Sequence, residues 1–230
     1  MSPERYQRIT EMLAFRQPDL TVVMEGVHKH HNLSAVVRTA DAVGVHEMHA
    51  IWLSSKMRVS GGTALGSQNW VNVHHHSQLS PAVEQIKQQG MQVVVTHLSD
   101  QAVDFREIDY TQPTAILLGQ EKHGATEEAL KIADHHVKIP MVGMVQSLNV
   151  SVAGAVMLYE AQRQREQAGM YDAMRLSDTE QHRVLFEGGH PIYAKACKRK
   201  GLPYPPLDEH GQIVADNEWW LAMRAAKKRA

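Results

Sequence analysis

The stretch IPMVGMVQSLNVSVAGAVMLYEAQ, residues 139–162, decides how the fold is read. It joins the end of one strand, a loop and the start of a helix. The run HHVKIP (135–140) is strand-like and stops at Pro140, because proline lacks the N–H that a central strand needs. Gly143 and two methionines then give a permissive, adaptable loop. Ser147, Asn149 and Ser151 follow, placing small polar groups where a helix leaves its first N–H groups without partners. Ala153, Gly154 and Ala155 come next and are small enough for another backbone to approach closely. A capped, tightly packed helix is one reading, and it is compatible with a site built at the same place.

Working outward, four more strand-like runs appear: LTVVME (20–25), EMHAIWL (47–53), MQVVVTHL (91–98) and PTAILLG (113–119). Helical patterns lie between them at 34–43, 80–89, 126–133 and 149–165. Mostly apolar strands alternating with helices define an α/β fold, a mostly parallel sheet with helices on both faces. Ligands of such sheets bind at the loops leaving the carboxyl ends of strands. Before this core, Ser2-Pro3 start a helix that is expected to run to Arg16, ahead of Pro18. On it Arg5, Arg8 and Arg16 fall within an arc of roughly 80°. Beyond residue 165 helices dominate, broken by Gly188-Gly189, LPYPP (202–206) and Gly211. The expected division is 1–17, an N-terminal helical extension; 18–165, the core; and 166–230, a C-terminal helical extension.

Composition narrows the class. With 230 residues, 43% hydrophobic and 21% charged, the chain suits one α/β domain with helical flanks. Its one cysteine, Cys197, excludes an intrachain disulfide and a cysteine-based zinc site. No apolar run is long enough to span a bilayer and the N-terminus lacks a signal-peptide core, so a cytoplasmic location without membrane contact is expected. The net charge of −1 conceals a basic tail, with twelve Lys/Arg against nine Asp/Glu from residue 161 on. Lys195, Lys198, Arg199 and Lys200 cluster there and can meet phosphate. The final AAKKRA equally suits a solvated helix end.

Common nucleotide signatures are missing. No G-x-G-x-x-G follows a strand, and although Gly61 and Gly66 have P-loop spacing, Ser67 stands where the phosphate-binding lysine belongs. GGTALGSQNW (61–70) reads as a mobile loop near the substrate. Fifteen histidines invite a metal reading, but none forms H-E-x-x-H, and three adjacent residues such as 74–76 could not supply three convergent ligands even from a strand, where neighbours face opposite sides. Surface or loop histidines, and no metal, are expected.

Two further segments carry chemistry. In HHNLSAVVRTADAVGV (30–45), Asn32 or Ser34 can cap a helix, and Arg38 stands in an otherwise apolar run. A buried guanidinium needs a partner. That partner is either a carboxylate, Asp41 three residues on or one elsewhere in the chain, or a phosphate or developing oxyanion. In LLGQEKHGA (117–125), Gly119 and Gly124 permit tight turns and display Glu121 between them.

Together the segments Asn32-x-x-x-x-x-Arg38, Gly119-x-Glu121-x-x-Gly124 and IPM (139–141) with SLNVSVA (147–153) closely resemble the three motifs of the SPOUT methyltransferases, SpoU branch. The resemblance covers roughly 20–165. The flanks, including EGGHPIYAKACKRKGLPYP (187–205), are similar to those of tRNA-modifying members. It implies a C-terminal trefoil knot and a homodimer whose protomers jointly build each site. It also implies S-adenosylmethionine held by backbone groups around Thr96, Gly119, Ile139 and Leu148. The implied activity is 2′-O-methylation of guanosine-18 in the D-loop of tRNA. A ribosomal RNA methyltransferase of the same branch, or a non-catalytic RNA-binding or chaperone protein, are the alternatives. The resemblance assigns catalysis to Arg38, with Asn32, Glu121, Ser147 and Asn149 orienting ribose, phosphate and loops. A guanidinium stays protonated, so Arg38 is read as a positioning and charge-stabilising group rather than a base. RNA contacts are expected from Arg5, Arg8, Arg16, His31, Arg163 and Arg165, then from Lys195, Lys198 and Arg199.

Overall fold

The structure, a computed structural model, describes residues 1–26, 29–52, 61–120 and 123–225. Along the chain come α1 (Pro3–Ala14), β1 (Leu20–Glu25), α2 (His30–Ala42), β2 (Glu47–Ile51), α3 (Gly61–Ala64) and β3 (Asn72–His76). Then follow α4 (Leu79–Gln88), β4 (Gln92–Thr96), β5 (Val103–Asp104), β6 (Thr114–Leu118), α5 (Glu127–Ile132) and β7 (His135–Lys138). The last elements are α6 (Val150–Gln167), α7 (Asp178–Gly189), α8 (Pro191–Lys200) and α9 (Asn217–Arg224). The chain forms two compact units: Arg16–Ala173, and Met1–Phe15 with the tail from Met174.

In the larger unit the strands form one parallel sheet in the order β3-β2-β1-β6-β4-β7-β5. Successive residues of a strand face opposite sides, so a sheet covered twice needs apolar residues at nearly every position. On one face Val22, Met24, Ile116 and Leu118 meet Leu33, Val36 and Val37 of α2 and Met157 and Leu158 of α6. On the other, Val23, Val93, Val95 and Leu117 meet Ala82, Val83 and Ile86 of α4 and Ala129 of α5. The five strands expected from apolar runs are all present. The edge strands β3 and β5 were not expected, since β3 is rich in histidine and β5 has only two residues.

Three local expectations are corrected. First, α1 stops at Ala14, so Arg16 lies beyond the helix that was to carry it. Second, α2 begins at His30 after Lys29, with no side-chain cap, so Asn32 and Ser34 sit inside the helix. Third, 61–70 is not an irregular loop: α3 is followed by a 3₁₀ turn over Ser67–Asn69.

In the smaller unit Phe186, Ala194 and Cys197 form a core with Tyr204 and Trp219 packed on it. Arg5 of α1 donates two hydrogen bonds, at 3.0 and 2.8 Å, to the carbonyl of Gly188 at the end of α7. Pro191 at the first turn of α8 and Gly201 in the left-handed region after its last turn bound that helix. No helix among the described residues is long and apolar enough to cross a membrane.

Candidate active site

Parallel strands deliver all their carboxyl ends to one edge of the sheet. The neighbours β6, β4 and β7 end there at Leu118, Thr96 and Lys138, with Val95 opposite Leu117 and Thr96 opposite Val137. The loops that follow enclose a cleft of about 400 Å³. Thr96, Gly119, Ile139 and Leu148, the four residues expected to hold a cofactor, all line it, as does Ser147. Gln120, His123, Lys138 and Gln146 also line it and were not singled out in the sequence. Their signal was available only through strand order, which makes the ends of β4, β6 and β7 neighbours.

Gly119 is required by a close approach. Gln120 and Gly124 exchange backbone hydrogen bonds of 2.7 and 3.0 Å, folding the loop back on itself. A Cβ at residue 119 would lie 2.3 Å from the Ala125 nitrogen and 2.4 Å from the Gly124 carbonyl carbon. The far side of this loop is anchored by buried Glu25, whose carboxylate accepts from the Thr126 N–H at 3.1 Å and from the Thr126 hydroxyl. Glu121 lies outside the described residues.

The second wall is the segment that opened the sequence reading. Asn149 caps α6, its Oδ1 accepting from the Ser151 N–H at 2.8 Å and the Ser151 hydroxyl at 2.6 Å. Its Nδ2 donates to Oδ1 of Asn32 at 3.3 Å, so the first and third motifs meet. The Asn32 side-chain nitrogen is buried and, among the described residues, has no hydrogen-bond partner. Leaving such a donor unsatisfied costs about 1–3 kcal/mol, which marks a place where an acceptor belongs. Gly154 makes the helix fit, since a Cβ there would lie 2.9 Å from Leu118 Cδ1.

Arg38 is exposed on the outer face of α2, and among the described residues its guanidinium has neither a hydrogen bond nor an ion pair. The partner considered for it, Asp41, is instead bound by Arg16 at 2.5 Å. His31 lies two turns before Arg38 on the same face, its Nδ1 3.3 Å from the Thr63 hydroxyl. Neither Arg38 nor Asn32 is among the residues lining the cleft.

The expected RNA contacts divide sharply. Arg8 is exposed with no partner among the described residues, and Lys195 and Arg199 likewise. Arg163 is exposed but held by Glu160 at 2.7 Å, and that guanidinium keeps the Glu160 carboxyl below the usual carboxylate range. Lys198 lies 2.9 Å from Glu187, and Lys200 caps α9 through the carbonyls of Ala222, Met223 and Ala225. Two expectations are overturned. Arg16 is 1% exposed, donating to Asp41 and to the Val45 carbonyl. Arg165 is 0% exposed, and its five N–H groups reach Tyr110, Gln17, Asp19 twice and Gln112. Burial withdraws both from the surface, and Arg165 has no donor left for phosphate.

A parallel sheet with its cleft at the ends of three adjacent strands, coupled through Asn149 to an arginine-bearing helix, defines a class. Residues 19–159 match the SpoU rRNA Methylase family, and residues 163–216 match the SpoU rRNA methylase C-terminal family. The chain belongs to the SpoU methylase family. It is 62% identical over 228 residues to the tRNA (guanosine(18)-2′-O)-methyltransferase of Escherichia coli K12, covering 98% of this chain and all of that one. The protein of the same description from Thermus thermophilus is 54% identical over 181 residues, 79% of this chain and 93% of the other. Among solved structures, the Aquifex aeolicus TrmH/SpoU tRNA modifying enzyme superposes with a TM-score of 0.78 at 42% identity, covering 82% of this chain and 96% of its own. The SpoU methyltransferase AviRb of Streptomyces viridochromogenes, in complex with the cofactor AdoMet, gives a TM-score of 0.59 at 26% identity, covering 65% of this chain and 59% of its own.

Proposed function

We propose that this chain methylates the ribose 2′-hydroxyl of guanosine-18 in the D-loop of tRNA, using S-adenosylmethionine. The observation that carries the reading is the cleft at the ends of β4, β6 and β7, joined by the Asn149–Asn32 contact to the helix bearing Arg38. The residues present suit the cofactor. The cleft combines apolar walls, from Leu98, Ile139, Leu148 and Val150, with the hydroxyls of Thr96 and Ser147 and a glycine-opened backbone at residue 119. Such a mixture orients a largely apolar ligand through a few polar contacts. When bound, the cofactor supplies a methyl group on a positively charged sulfur.

A ribose hydroxyl is a weak nucleophile, so the chain must position it and manage its proton. Arg38 grips a phosphate of the RNA and stabilises the negative charge that develops on the 2′-oxygen as its proton departs. The proton leaves to an acceptor other than Arg38: an RNA phosphate oxygen, water or a carboxylate. Asn32 offers its unpaired side-chain N–H. Ser147, Asn149 and Glu121 hold the motif loops. His31, Arg5, Arg8, Arg163, Lys195, Lys198 and Arg199 contribute contacts to tRNA, the last three from the tail.

The same reading includes the knot, with 139–159 threaded through an earlier loop, and a homodimer. Val142 and Met144 are 106% and 99% exposed, and Val145, Val152 and Tyr159 are exposed beside them in sequence. So much apolar surface on a site loop and one helix supports coverage by a second copy of the chain. The substrate places the enzyme in the cytoplasm.

The test is incubation of unmodified bulk tRNA with isotope-labelled cofactor, followed by mapping of the labelled ribose. Label at the 2′-oxygen of residue 18 is expected. Preference for ribosomal RNA fragments, or cofactor-independent RNA binding with no transfer, would replace this reading by one of its alternatives.

A further inference from the structure

The histidine triplet at 74–76 cannot converge by itself, but the fold supplies a ligand from the neighbouring strand. β2 and β3 are parallel, with His49 opposite His74 and Ile51 opposite His76. His49, His74 and His76 therefore project from one face, while Met48 and Ala50 project from the other into the core. His49 Nδ1 lies 3.0 Å from His76 Nε2. The His74 ring stacks on His49 with centroids 5.2 Å apart, and His74 Nε2 lies 3.3 Å from Glu47 Oε2. His75 points away and packs on Trp52, centroids 4.2 Å apart.

Two imidazole nitrogens bound to one tetrahedral zinc at about 2.0–2.1 Å stand roughly 3.3 Å apart. The His49–His76 separation is within a few tenths of an ångström of that value before any ion is added. The pair now shares one proton, since one ring must donate and the other accept. An ion at that point displaces the proton to solvent and takes a lone pair from each ring. β3 is an edge strand and its histidines are partly or fully exposed, so the ion's remaining positions open to water.

We propose that His49 and His76, joined by His74 when it turns from Glu47, bind one divalent transition-metal ion of the zinc class and so clamp the edge strand to the sheet. The site shares no residue with the cleft, and the ion has a structural role. Cys197, the one thiol, is buried in the other unit and does not compete.

The experiment uses the full chain without a histidine tag, stripped by chelator and titrated with Zn²⁺ in a calorimeter, then with Co²⁺ in a spectrophotometer. One ion per chain and a zinc-dependent rise in Tm are expected, because an ion that binds only the folded state stabilises it. H49Q and H76Q should each weaken binding more than about tenfold, the loss produced even by removing an outer-shell partner of a metal ligand. H75Q should bind like the wild type, and methylation should be unaffected in all three. Should H49Q fail to fold, imidazole NMR signals of the wild-type chain still decide, since those of His49 and His76 must move with the first equivalent of zinc. No uptake by the wild type, equal weakening by H75Q, or unmoved His49 and His76 signals would overturn the site.

Discussion

Among the described residues Arg38 keeps a free guanidinium because Asp41, its neighbour on the next turn, is already bound by Arg16 from outside the helix. The guanidinium fork is left open by an ion pair made elsewhere. R38A should lower the single-turnover methylation rate by about 10²–10³-fold, the usual cost of losing one stabiliser of developing charge, with Tm unchanged. R38K retains charge but not the fork. Near-full rate in R38K would remove the need for a guanidinium. Gly119 makes a different prediction. G119A drives a methyl group into the Ala125 and Gly124 backbone, so the loop has to open. Calorimetry should show cofactor affinity falling by at least about tenfold, or 1.4 kcal/mol, and unchanged affinity would show that the loop tolerates the side chain.

Among the elements, α1 and α6 each carry arginines that look alike in sequence and act differently. R8A, on the open face of α1, should leave stability alone and lower the slope of log affinity for tRNA against log salt by about 1. R165A, at the end of α6, strands Asp19 and several carbonyls and should cost about 3–5 kcal/mol in denaturant unfolding. An R165A chain that unfolded like the wild type while binding tRNA poorly would restore Arg165 to the RNA surface. The turn between α5 and β7 carries a pH dependence. Asp134 accepts from the Val93 N–H at 2.8 Å and from Lys87 at 2.7 Å. Burial raises its carboxyl pKa, but Lys87 and the Val93 N–H outweigh that and hold it below the ordinary value. A carboxyl that titrates lower in the folded chain stabilises above its unfolded pKa, and that contribution fades as pH falls through the folded value. D134A should lose about 0.5–1.5 kcal/mol at neutral pH for the hydrogen bond. The ion pair adds little, since both ends are more than a third exposed. The gap from wild type should shrink in acid, and a pH-independent gap would assign the loss to packing.

For the molecule as a whole, the exposed apolar residues of the 139–149 loop and α6 point to assembly. The wild type should sediment as a dimer, and V152E/Y159E should shift it to monomer and reduce methylation far more than thermal stability. A wild-type monomer with full activity would remove the second copy from the site. Much of the architecture could be read from residues alone. Runs such as LTVVME and TAILL must be strands buried on both faces, and S-L-N-V-S must open a helix, because spacing and capping act within a few residues. The edge strands escaped notice because an edge lacks the double burial that writes an apolar run.

The residues alone sufficed for the alternation of strands and helices and for the three motif segments, because those features rest on local chemistry. Thr96, Gly119, Ile139 and Leu148 were expected at a cofactor only through the family resemblance, and the shared edge of the parallel strands brings them to one cleft. Only the tertiary structure decided which arginines face solvent. Arg16 finds its carboxylate 25 residues away and Arg165 finds Asp19 146 residues away, distances over which no local pattern carries a signal. The same reason hid the meeting of His49 with His76: strand register is a property of the assembled sheet.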